Sequence, residues 1–108
     1  MPGVDVAPIT VERPNRYEKN IYIFNLRDDE YRLSTPIPIH LEYDNGIFVA
    51  VAHDLNLFGW ADTEEEAITD LCHEIVDYYL DLKEEHQNVT IQMKQHWQFL
   101  QSVIEPCR

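Results

Sequence analysis

The dipeptide Asn45-Gly46, set between two apolar runs, is the feature that most restricts what this chain can fold into. Both residues tolerate positive φ, so the pair favours a two-residue type I′ hairpin loop whose twist matches the flanking strands. That loop fixes a register. Tyr43 then meets Phe48, Leu41 meets Ala50 and Ile39 meets Ala52 on one face, while Glu42 meets Val49 and His40 meets Val51 on the other. The first face is wholly apolar and is expected to be the core face. Its alanines leave room for a helix to approach closely.

A helix is predicted shortly after the hairpin. Thr63 and Glu66 have capping-box spacing, and three glutamates fill the first turn, where the positive end of the helix dipole favours them. Ile68, Leu71, Cys72, Ile75, Tyr79 and Leu82 recur at three- and four-residue steps and form one stripe, predicting a helix over Glu64–Glu85. Glu66, Asp70, His73, Asp77, Asp81 and Glu84 fall on the opposite face.

Around these elements, residues 20–26 are rich in β-branched and aromatic side chains and predict a strand. Residues 27–30 predict a polar turn. Residues 31–43 predict extended chain that Pro36 and Pro38 confine to an edge or a bend, because proline cannot donate to a ladder. Residues 53–56 predict a turn and residues 57–61 a short strand, with Gly59 marking a bulge or a close backbone approach. Met93, Trp97, Leu100 and Ile104 form a second helical stripe, although Val89, Ile91 and Met93 also alternate as a short strand would; Pro106 ends any helix. Residues 1–19, with Pro2, Pro8 and Pro14, read as an extended or flexible arm preceding one domain over residues 20–105. The order predicts an α+β fold, an antiparallel sheet of three to four strands with two helices on one face.

Charge narrows the function. The 108 residues carry 8 Lys plus Arg against 20 Asp plus Glu, a net charge of −12. A phosphate-tracking nucleic-acid surface and binding to an anionic membrane are both disfavoured. Neither a membrane-spanning run nor a secretory leader is apparent, so a cytoplasmic location is expected. Cys72 lies on the helical stripe and is expected to be buried and inert; Cys107 sits near the end, and no zinc spacing joins them.

The segment of residues 37–82 resembles the HicB-like antitoxin family. The resemblance rests on the order Ile39-His40-Leu41-Glu42-Tyr43, Asn45-Gly46, Ile47-Phe48-Val49-Ala50-Val51, Asp54-Leu55, Leu57-Phe58-Gly59-Trp60 and Thr63-Glu64-Glu65-Glu66-Ala67, a little under half the chain. It implies a truncated RNase H-like fold without catalytic activity, and a role neutralising a small basic mRNA-cleaving toxin by direct binding. Many members add a DNA-binding domain. Here about 22 residues follow the main helix, enough for one more helix, and the basic Arg13, Arg16 and Lys19 are balanced by Asp5, Glu12 and Glu18. The chain therefore looks like a solitary member lacking a complete C-terminal DNA-binding domain.

Thirteen acids and one base, Lys83, lie between positions 42 and 85. The helix face of Glu66, Asp70, Asp77, Asp81 and Glu84 is the expected docking surface for a basic protein. Val49 and Val51 sit on a sheet face that no assigned helix covers, which points to a partner, a second subunit or the C-terminal helix; a homo-oligomer, dimer or higher, is expected. Two alternatives remain open: a metal-dependent RNase H-like nuclease using Glu42, Asp54 and Asp62, and a purely structural oligomer subunit. His40 with His53, and His73 with Asp70 and Asp77, lack the further ligands a metal needs, so no cofactor is expected. Tyr79 and Trp97, with Trp60 beside them, are expected in the core.

Overall fold

The computed structural model describes residues 16–107. The strands are β1 (Arg16–Ile23), β2 (Tyr31–Leu33), β3 (Ile37–Asp44), β4 (Ile47–Ala52), β5 (Leu57–Ala61) and β6 (Ile104–Pro106). The helices are α1 (Glu64–Glu85) and α2 (Ile91–Val103), joined through a 3₁₀ turn at His86–Asn88. One antiparallel sheet has the order β1-β3-β4-β5, and β2 pairs with β6 in a separate two-stranded ribbon. The α+β class is the one the sequence predicts.

The hairpin forms in the expected register. Asn45 has φ 54° and Gly46 φ 89°, and Tyr43↔Phe48, Leu41↔Ala50, Glu42↔Val49 and His40↔Val51 are cross-strand pairs. The ladder stops at His40↔Val51, but Ile39 and Ala52 are both buried on the core face. α1 packs across β4 and β5, burying Ala67, Ile68, Leu71, Cys72, Ile75, Val76, Tyr79 and Leu82. A Cβ on Gly59 would lie 2.3 Å from the Leu71 amide nitrogen and 2.7 Å from the Ala67 carbonyl oxygen. Gly59 is thus the point where sheet and helix backbones touch, one of the two alternatives its spacing suggested.

Several expectations need correction. β1 begins at Arg16, four residues inside the expected arm, because β3 continues to Asp44 and offers Arg16–Lys19 partners; the rest of that arm lies outside the described residues. β1 also ends at Ile23, so Phe24, Asn25 and Leu26 leave the sheet, and the Leu26 side chain is buried as a loop anchor. β3 is an interior strand, not an edge. Pro38 is tolerated because it pairs only with Tyr22 of β1 and lies beyond the end of the β3–β4 ladder, where no neighbour requires its missing donor. The second helix starts at Ile91, with Thr90 as N-cap, accepting from the Met93 amide at 3.1 Å. It ends at Val103, and Ile104, read as helical, opens β6. There Arg32 meets Glu105 at 2.7 Å and the Ser34 amide donates to the Val103 carbonyl at 2.7 Å.

Trp60 is 59% exposed and is not beside Tyr79 and Trp97, as expected. It points to the opposite side of the sheet from α1. Tyr79 instead packs between Tyr31 and Trp97, with ring centroids 5.3 and 5.6 Å away. α2 packs chiefly on α1, with its Leu100 and Val103 in the same core, leaving the outer sheet face uncovered by any described helix.

Candidate functional site: an acidic helix and an uncovered sheet face

The cap of α1 is half of the predicted box: Thr63 Oγ1 accepts from the Glu66 amide at 3.1 Å. Two of the three first-turn glutamates are already paired. Lys19 of β1 reaches Glu64 at 3.3 Å, and Arg27, held at φ 57°, reaches Glu65 at 2.8 Å and donates to the Glu65 carbonyl and Thr69 hydroxyl. These contacts bolt the start of α1 to the rest of the domain.

The carboxylates further along are arranged differently. Glu66, Asp77, Asp81 and Glu84 are exposed in one row, and among the described residues no cation lies within ion-pair distance of them. Lys83, the single base of this segment, is drawn away toward the ring of Tyr31, 5.9 Å from its centroid. Asp70, expected in the same row, is half-buried and accepts from the Trp60 backbone amide at 3.1 Å. Its role is structural: it occupies an amide that β5, an edge strand, would otherwise offer to another chain.

Beside the end of the row is a groove of about 500 Å³ between α1 and α2, lined by Tyr78, Asp81, Glu84, Val89, Thr90 and Met93. Its rim is acidic and its floor partly apolar. The Tyr78 hydroxyl lies 2.7 Å from His96 Nδ1 and ties the two helices; burial raises its pKa. The groove had no signature in the sequence, because it depends on the angle at which the turn at His86–Asn88 sets α2 against α1.

The outer sheet face holds a second collection of residues. One row across the strands reads Asn20, His40, Val51 and Phe58; the next reads Glu18, Glu42, Val49 and Trp60. His40 Nε2 is 2.6 Å from Glu18 and 3.4 Å from Glu42, and its Nδ1 is 2.9 Å from Asn20 Oδ1. His53 lies near, ring centroids 5.7 Å apart, but outside this cluster. Sequence reasoning reached His40 and Glu42 separately and missed Glu18, which the pairing of β1 with β3 supplies. Asp54 and Asp62 are exposed at opposite ends of the five-residue β5, about 16 Å of strand apart, and do not join Glu42. His73 is exposed on α1.

Cys72 is fully buried, its thiol donating to the Asn25 carbonyl at 3.5 Å. Burial pushes its pKa up to about 11, partly opposed by Arg27, so it is a packing residue. No helix among the described residues is long and apolar enough to cross a membrane. Compared with known protein families, curated proteins and solved structures, the chain matches none.

Proposed function

We propose that the protein is a non-catalytic binding module of HicB antitoxin type, whose partner is a small basic protein such as an mRNA-cleaving toxin. The observation carrying this reading is the carboxylate row of Glu66, Asp77, Asp81 and Glu84, without an ion-pair partner among the described residues, on a helix fixed along its whole buried stripe. Carboxylates held on a rigid helix need little further ordering on binding. A toxin surface built to hold RNA phosphates presents cations that such a row can satisfy, and the adjoining acidic-rimmed groove fits the stem and head of a lysine or arginine. Asp70 is not part of this surface, since its carboxylate is engaged with Trp60.

The second element of the proposal is self-association. β1 is an edge strand, and Phe58, Trp60 and Tyr22 are large, exposed and on the same uncovered face. These features favour pairing about a two-fold axis. A monomer mass by light scattering at tens of micromolar would refute it.

The docking reading is tested by association kinetics with a HicA-type toxin from low to moderate salt. The on-rate is expected to fall with salt and to fall about tenfold or more in Asp77→Lys/Asp81→Lys. An on-rate indifferent to both would exclude this face. The nuclease alternative gains support if purified protein cleaves RNA with Mg²⁺ or Mn²⁺ and Asp54→Asn abolishes the cleavage. The separation of Asp54 and Asp62 favours the binding module over that alternative.

A further inference from the structure

The register of β1 on β3 creates an electrostatic problem on the outer face. Glu18 and Glu42 are directly opposite each other, and like charges in a cross-strand pair repel. His40, two residues from Glu42 along β3, stands on the same face opposite Asn20. The contact of Nδ1 with Asn20 Oδ1 at 2.9 Å places a proton on Nδ1, because an amide oxygen only accepts. Nε2 then presents its lone pair to Glu18 Oε1 at 2.6 Å and Glu42 Oε2 at 3.4 Å. Three acceptors thus converge, and the histidine side chain is only 16% exposed.

A cation standing among them would answer all three acceptors at once. A divalent cation balances both carboxylates and uses the nitrogen lone pair. We propose that Glu18, His40 and Glu42 form a binding site for a divalent transition-metal ion of zinc type.

The ligand chemistry and the distances support this assignment. One imidazole with two carboxylates suits Zn²⁺ better than Mg²⁺ or Ca²⁺, which take oxygen ligands. The three ligand atoms lie within 4.8 Å of one another. Two ligands each 2.0–2.2 Å from a tetrahedral zinc stand about 3.4 Å apart, so the His40–Glu42 separation already fits, while the exposed Glu18 side chain has to move back from His40 by about 1 Å and settle at a like distance from Glu42. Asn20 is the outer partner that fixes the imidazole tautomer and orientation, as metal-ligating histidines require. Three protein ligands leave a position for water or for a side chain of another molecule. The ion would also fasten β1, an edge strand, to the interior strand β3.

The proposal is independent of the antitoxin reading and is tested on the full chain, stripped with chelator, using zinc chloride alone in calorimetry and equilibrium dialysis. One saturable site per chain is expected, with a raised melting temperature because the ion binds only the folded sheet. His40→Gln and Glu42→Gln are each expected to weaken binding at least tenfold, and His73→Gln on α1 to leave it unchanged. Glu18→Gln, at an exposed position of β1, gives the same readout should His40→Gln disturb the fold. In ¹⁵N-labelled protein, zinc should shift the Nε2 resonance of His40. No saturable binding up to about 100 µM zinc, undiminished affinity in the His40→Gln and Glu42→Gln proteins, or a shift confined to another histidine would each overturn the proposal, leaving an ordinary His–Glu contact.

Discussion

The two faces of the four-stranded sheet differ most where α1 crosses it. On the inner face the positions under α1 are small: Ala50, Ala52, Gly59 and Ala61, with Leu41 and Ile39 beside them. On the outer face the same strands carry Val49, Val51, Phe58 and Trp60, followed toward β1 by Glu42, His40 and Glu18. Where α1 crosses β4 and β5 the inner side chains are small, although Phe48 and Leu57 share that face; the outer face, which no described helix covers, carries large ones on the same two strands. The inner face is shaped for close backbone approach; the outer face leaves Phe58, Trp60 and Glu18 exposed to solvent.

This contrast is broken most directly at Gly59. Gly59→Val drives a branched side chain into the α1 backbone and is expected to cost about 3 kcal/mol or more, measured by urea denaturation; a loss below about 1 kcal/mol would show that the helix can lift off the sheet. Leu71→Ala removes a fully buried side chain from the helix side of the same contact, with an expected loss of about 3 kcal/mol. Asp70→Ala leaves the Trp60 amide without its acceptor and should cost about 1–2 kcal/mol, while leaving the salt dependence of partner binding unchanged, since Asp70 is a tie and not a docking group.

On the outer face the expectation inverts. Phe58→Ser/Trp60→Ser should change monomer stability by only about 0.5 kcal/mol per site, yet shift the oligomer equilibrium toward monomer by light scattering. A large stability loss there would mean that the face is already packed. The smallest effect concerns the thiols. At pH 8, with the Cys72 pKa raised to about 11, Cys72 stays neutral and shielded, and the exposed Cys107 alone should react promptly with a thiol reagent. Two fast thiols would signal that the core opens readily.

The acidic helix shows how far pattern reading reaches. Period and capping placed both ends of α1 and most of its buried stripe, because these depend on neighbours three and four positions away; they missed Ala67 and Val76. They also placed Glu66, Asp77, Asp81 and Glu84 on the solvent face. They could not separate Asp70 from that row: what distinguishes it is an amide of β5, ten residues back, brought alongside by the turn into the helix.

Sequence by itself determined the Asn45-Gly46 hairpin, its register, the main helix and the concentration of negative charge, all local in chain order or in composition. Tertiary structure decided the rest. It put β1 beside β3, turning the proline-bearing strand into an interior one and starting the sheet at Arg16. It paired β2 with β6 across about seventy residues, sent Trp60 outward, and gathered Glu18, His40 and Glu42 into one cluster. Each of these outcomes rests on contacts between segments distant in the chain. Such contacts are chosen by which faces can be buried together, and no short window of residues contains that information.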